Sequence, residues 1–166
     1  MPRKRVINVK IPRGIHDGQA IRVPGEGEPG PNGGIRGDLH VVVRVEEHKL
    51  FRREDDHLIL RMPISFTQAA LGAKVKVPTI DGQEELHIKR GTQHGEIFRL
   101  TGKGLPNLRA DHRGDLIAVA IVEIPKKLSD KQEKLLRDFA ETENHEVMPE
   151  SRSFWDKIKE HLTSGW

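Results

Sequence analysis

The chain has 166 residues, 35% of them hydrophobic and 32% charged, and its 28 bases nearly match its 25 acids, leaving a net charge of +3. Bases scattered among acids fit a solvated mixed surface and make no nucleic-acid footprint. There is no cysteine, which excludes disulfides and thiolate metal sites, and no run approaches the ~18–20 apolar residues of a membrane-spanning helix.

The start, Met1 to Arg5, is basic, but residues 6–11 alternate instead of forming the apolar block of a signal peptide. Ile7, Val9 and Ile11 fall on one face of a period-2 strand, with Asn8 and Lys10 opposite. A turn over 12–18 leads to a second strand, 19–23. Glycine and proline then break residues 24–37. Residues 39–45 alternate again, with Leu39, Val41, Val43 and Val45 on one side. The charged stretch 48–57 reads as a linker. Strand 58–64 follows, then one or two helical turns over 66–71 stopped by Gly72. Four more strands are expected: 73–78, 85–88, 96–100 and 116–122, with Asp81-Gly82 as a hairpin turn. After Pro125 the period becomes helical. Ser129 and Gln132 make a capping box, and Leu135, Leu136, Phe139 and Ala140 form a stripe at helical spacing. A last helix beyond Pro149 would align Phe154, Trp155, Ile158 and Leu162. Such stripes must pack on the second β-domain or on another subunit.

The chain also repeats itself. Arg13-Gly14, Gly18, Arg22, Gly25, Gly27, Pro29 and Arg36-Gly37-Asp38-Leu39 recur as Arg90-Gly91, Gly95, Arg99, Gly102, Gly104, Pro106 and Arg113-Gly114-Asp115-Leu116, every pair 77 residues apart. Two copies of one small domain are implied, since solenoid units are shorter. The expected fold is mainly β: two tandem small β-sandwich domains followed by C-terminal helices. The boundaries are 1–47, a linker at 48–57, 58–125, and 126–166. Counted back by 77, the lead-in 58–83 of the second copy has a counterpart that begins ahead of Met1. The first copy is therefore expected to be truncated at its N-terminus, with a sheet edge and an apolar face uncovered.

Several motifs resolve into structure. Gly25-x-Gly27-x-x-Gly30 spells a dinucleotide fingerprint, but Pro29, Pro31 and Gly33-Gly34 forbid the helix that would hold the phosphates. Arg36-Gly37-Asp38 and Arg113-Gly114-Asp115 sit at equivalent strand starts and are structural. The nine histidines show no helical i,i+4 pair and no HExxH. No serine has a nucleophile elbow, and nothing resembles an enzyme's site. What remains is apolar surface around Ile7 and Val41, which is either core or a groove for an extended peptide.

These residues resemble the C-terminal client-binding region of the DnaJ family of co-chaperones, over nearly the whole chain. Val9 to Gly14, Asp17 to Gln19, Gly25 to Gly30 and Gly37 to Leu39 look like the first β-domain. His48, Phe51 and Arg53 look like the junction, where Asp55 and His57 replace the usual glycine and aspartate. Ala70 to Gly72, Val77 to Thr79, Gly91 to Gln93, Phe98 to Leu100 and Gly102 to Gly104 resemble the second domain. Ile124 to Ser129 resembles the start of the last helix. The chain has no His-Pro-Asp and no Cys-x-x-Cys, so the J-domain and the zinc module of the family are absent from it, and no cofactor is expected.

The resemblance implies a non-enzymatic module of the cytoplasm. It would bind unfolded or misfolded polypeptides, deliver them to a DnaK-type chaperone, and not stimulate ATP hydrolysis by itself. Client contact would fall on Ile7, Val9, Val41 and Val43. A homodimer would form through Leu135, Phe139, Phe154, Trp155 and Ile158, and Lys4 and Arg5 would meet the partner chaperone's acidic tail. Neither nucleic acid nor membrane is an expected partner. The alternatives are an inactive fragment of a longer DnaJ protein and a β-sandwich scaffold for one folded partner.

Overall fold

The computed structural model describes residues 6–31, 34–143 and, near the C-terminus, 154, 156 and 158. The fold is mainly β with a C-terminal helix, and the chain divides into two compact units, Met1–Ile124 and Pro125–Trp166.

In the first unit the strands are β1 (Ala20–Val23), β2 (Leu39–Val42), β3 (Phe51–Glu54), β4 (His57–Ser65), β5 (Ala73–Thr79), β6 (Gly82–Ile88), β7 (Ile97–Leu100) and β8 (Leu116–Glu123), with helix α1 (Phe66–Leu71) between β4 and β5. Among the described residues three sheets result: β1-β2, β3-β4-β8-β7, and β5-β6. All pairings are antiparallel except β4 with β8, which is parallel and in register from Leu58↔Leu116 to Ser65↔Glu123.

The alternation of β4 explains its central place. Leu58, Leu60, Met62 and Ile64 are all buried, while Arg61 and Pro63 face outward. With Ala69, Val77, Ile88, Leu116, Ala118 and Ala120 they form the hydrophobic core. Every one of these lies in the second repeat copy. Helix α1 starts at Ser65, whose hydroxyl accepts from the Gln68 N–H while the Gln68 side chain accepts from the Ser65 N–H. It stops at Gly72, at φ +80°, where a Cβ would come within 3.0 Å of the Ile88 carbonyl oxygen.

Two sequence expectations are corrected. Residues 6–10 alternate in exposure as predicted, but Ile11 is exposed and does not share the half-buried face of Ile7 and Val9, and no ladder pairs 6–11 among the described residues. Alternation prepares a strand; only a partner at hydrogen-bonding distance makes one. Counted back by 77, the copy-one equivalent of β5, the partner of β6, falls ahead of residue 3. The stretch 48–57 is not a free linker either. Its middle is β3, an edge strand pairing with β4 from Phe51↔Leu60 to Glu54↔His57. Phe51 packs against the core, and Arg52 and Glu54 point to solvent, which an edge strand tolerates.

The second unit contains α2 (Asp130–Thr142). Ser129 caps it, accepting from the Gln132 N–H, and the Gln132 side chain accepts from the Ser129 N–H. Leu135 and Phe139, one turn apart, are 57% and 51% exposed. Phe154 is exposed and Ile158 half-buried, both helical. Lys4, Arg5 and Trp155 lie outside the described residues. Among the described residues no helix is long and apolar enough to cross a membrane.

Candidate functional site

The repeat is reproduced bond for bond. The Gly18 N–H donates to the Val43 carbonyl at 2.9 Å, and the Gly95 N–H to that of Ala120 at 2.8 Å. The Val43 N–H donates to Gln19, and the Ala120 N–H to Glu96. An aspartate closes each glycine loop: Asp38 accepts from the Gly25 N–H and the Arg22 guanidinium, and Asp115 from the Gly102 N–H and Arg99. Gly25 and Gly102 both sit at φ +69°, the left-handed region that glycine enters at no steric cost. The Gly25 N–H, and after it Arg22, hold the Asp38 carboxyl below the usual carboxylate range. The Arg-Gly-Asp tripeptides are therefore loop fasteners.

On this frame β1 and β2 form a two-stranded sheet with one half-buried face. Ile21 lies opposite Val41 and Val23 opposite Leu39. Val43 continues the face one step beyond the strand, held by its bonds to Gly18 and Gln19. The other face carries Arg22, His40, Val42 and Arg44, all exposed. Val41 and Val43 are thus brought together. Ile7 and Val9 are half-buried, alternating with exposed Asn8 and Lys10, but no ladder joins them to β2 among the described residues.

The two copies differ in what covers this face. Leu116, Ala118 and Ala120, the counterparts of Leu39, Val41 and Val43, are 0% exposed, with β4 alongside. In copy one the same positions are half-buried, and two of them carry the larger valine. Burying a valine side chain is worth ~1.5 kcal/mol or more. The face is therefore suited to take up apolar side chains. Sequence reading did not single out Ile21, Val23 or Leu39 for it. The signal was present: Ile21 and Val23 align with Phe98 and Leu100, which pack against the core of copy two.

Copy one is anchored to the rest of the first unit by the Arg53 guanidinium. Its Nη1 donates to the Ile15 carbonyl at 2.7 Å, its Nη2 to that of Gly14 at 2.8 Å, and its Nε to that of Asp55 at 2.7 Å. At Gly14 a Cβ would lie 2.2 Å from the Pro106 carbonyl oxygen, so backbone meets backbone there. Phe51 stacks on His48 with ring centroids 5.0 Å apart, and His48 Nδ1 accepts from the Leu50 and Phe51 N–H groups. Of the residues read as a junction motif, Arg53 thus bonds across the joint between the copies, and His48 and Phe51 order the entry to β3.

Residues 1–125 match the family described as DnaJ C terminal domain, and residues 131–162 match Chaperone protein DnaJ C-terminal region. The chain is 51% identical to Chaperone protein DnaJ of Rhodopirellula baltica over 94% of its own length and 40% of the relative's. It is 46% identical to that of Caldicellulosiruptor bescii, over 95% of its length and 41% of the relative's. For Exiguobacterium sibiricum the identity is 47%, over 97% and 44%. The chain spans about two fifths of the length of these relatives. From its first β-sheet to the turn before α2, it belongs to the DnaJ C-terminal domain family.

Proposed function

We propose that this chain is the client-holding part of a DnaJ-type chaperone. Short apolar segments of unfolded polypeptide would lie against Val41, Val43 and Ile21, with Ile7 and Val9 at the margin. The observation that carries this reading is the half-buried face of β1-β2, whose counterpart in copy two is fully buried. The names of the relatives support a role in protein folding. Held clients would pass to a DnaK-type chaperone in the cytoplasm, with Lys4 and Arg5 available to its acidic tail. Leu135 and Phe139, exposed on α2, together with Phe154, Trp155 and Ile158, would join two copies into a homodimer and give two arms for one long client. The residues present do not fit the family's zinc module: the chain has no cysteine, and among the described residues no three His, Asp or Glu side chains gather.

The test is suppression of aggregation of a chemically denatured client. Wild-type chain is compared with the Ile7→Ser/Val41→Ser double variant, both checked for folding by circular dichroism. Loss of most of the suppression in the variant is the expected result. Full suppression by a folded double variant would remove client holding from this face.

A further inference from the structure

The two outer faces of copy two differ in kind. Sheet β5-β6 gives Val77 and Ile88 to the core, and its other face carries Lys74, Lys76, Glu85 and His87, all exposed. That is the polar face expected of a sheet in water. The outer face of β3-β4-β8-β7 is apolar instead. The ladders place Ile59, Ile117 and Arg99 in one row, Arg61, Val119 and Ile97 in the next, and Pro63 and Ile121 in a third. Ile97 is 62% exposed, and Arg61, Pro63 and Arg99 are exposed around it, so this face is open. Copy one has His40, Val42 and Arg44 where copy two has Ile117, Val119 and Ile121. The apolar column is thus peculiar to copy two. It is not the counterpart of the Val41–Val43 face, which copy two buries as Ala118 and Ala120.

Charge and backbone chemistry select the occupant. Among the described residues no acid pairs with Arg61. Glu54 stands beside Arg52 on the edge strand, and Asp115 is taken by Arg99 and the Gly102 N–H. Glu123 lies opposite Ser65, about 13 Å along β8 from Val119. A second copy laid face to face on a two-fold axis through Val119 would bury Arg61 against its own counterpart or against Ile97. An unpaired buried cation is costly, so the occupant has to bring a carboxylate. An extended segment is unsuited. β8 lies between β4 and β7, its backbone groups already spent in ladders, whereas a helix satisfies its own. We propose that this face docks an amphipathic helix of a partner protein, its apolar stripe along Ile117, Val119 and Ile121 and a carboxylate on Arg61. The column is about 13 Å long, which about nine helical residues span. The surface is separate from the client-holding face and does not rest on it.

The probe is a fluorescent Ala-rich helical peptide of about 15 residues, with Leu at i, i+4, i+7 and i+11 and Glu on both flanks of that stripe. A second peptide carries Lys at the flanks instead. Binding to the full chain is followed by anisotropy, and the contact by methyl NMR. The Glu peptide is expected to shift the methyls of Ile59, Ile97, Ile117, Val119 and Ile121. The Lys peptide should bind at least about threefold more weakly, in the range of one exposed ion pair. Arg61→Glu, a change at an exposed position of β4, should reverse the order of the two peptides. Val119→Asp should abolish binding of the Glu peptide while suppression of client aggregation is kept. Circular dichroism checks the folding of both variants. The proposal is overturned if the Glu peptide does not bind, or if the order of the peptides is unchanged in Arg61→Glu. Shifts confined to Val41 and Val43 would overturn it in favour of the client face. Concentration-dependent shifts of the same methyls without peptide would make a second copy the occupant. Sedimentation with phosphatidylserine vesicles, lost in Val119→Asp while neither peptide binds, would make it an anionic membrane.

Discussion

Asp55 is the only non-glycine residue with positive φ among the described residues, at 51°. It stands in the turn between β3 and β4, and its carbonyl accepts from Arg53. Aspartate enters the left-handed region more readily than most residues but still at a cost that glycine does not meet. Asp55→Gly is therefore expected to raise the stability of the first unit by about 0.5 kcal/mol, the relief of strain exceeding the extra entropy of the unfolded glycine. Urea unfolding monitored by circular dichroism checks this; a lower midpoint at unchanged m would show that the Asp55 side chain stabilises the turn. At this scale the paired glycines were legible because the repeat displays each one twice. Arg53 was legible only as part of a resemblance. Its partners are the carbonyls of Gly14 and Ile15, 39 and 38 residues away, and a backbone carbonyl leaves no mark in a sequence.

Elements were legible where one local signal sufficed. The alternation of β4 and β8 and the capping box of α2 are complete in their own residues. The box at Ser65 and Gln68 has the same Ser-x-x-Gln form and was equally available. Failures occurred where a strand is defined by its partner. Residues 6–11 have the pattern without a ladder, and β3 has the ladder under a charged sequence, Phe-Arg-Arg-Glu. Helix α2 has exposed apolar residues and no buried ones, so its ends depend on local bonds. Ser129→Ala should cost the helix about 1 kcal/mol. The expected result is roughly fivefold faster exchange at the amides of Lys131, Gln132 and Glu133, with β4 and β8 unaffected. Unchanged exchange would mean that contacts other than the cap hold the first turn.

At the scale of the whole molecule, two copies of one small β-domain were legible from the 77-residue period and its glycines, and the family from the resemblance of its motifs. The asymmetry of burial was legible only as an expected gap in copy one. Among the described residues, all ten buried apolar ones lie between Leu58 and Ala120, so copy one relies on its joint. Arg53→Ala removes three charge-assisted bonds, two of them across that joint, and each such bond is worth ~1.5–3 kcal/mol. Amides of copy one, Gly18 and Val43 among them, should exchange at least about tenfold faster in the variant. Core amides such as those of Leu60 and Ala118 should change little. Equal acceleration in both copies would show that they unfold as one.

The parallel pairing of β4 with β8 has a consequence for how the chain is made. Leu58 meets Leu116, 58 positions further along the chain, so the central ladder cannot start until nearly all of the first unit has left the ribosome. At about 5–20 residues per second, that leaves β4 waiting roughly 3–12 s with four core side chains in water. Non-local pairing of this kind is also slow after release, because the loop must close before contacts repay its entropy. A chain of this fold is thus expected to pass through a stage in which its own nascent β4 has only the edge strand β3 beside it and its apolar side chains uncovered.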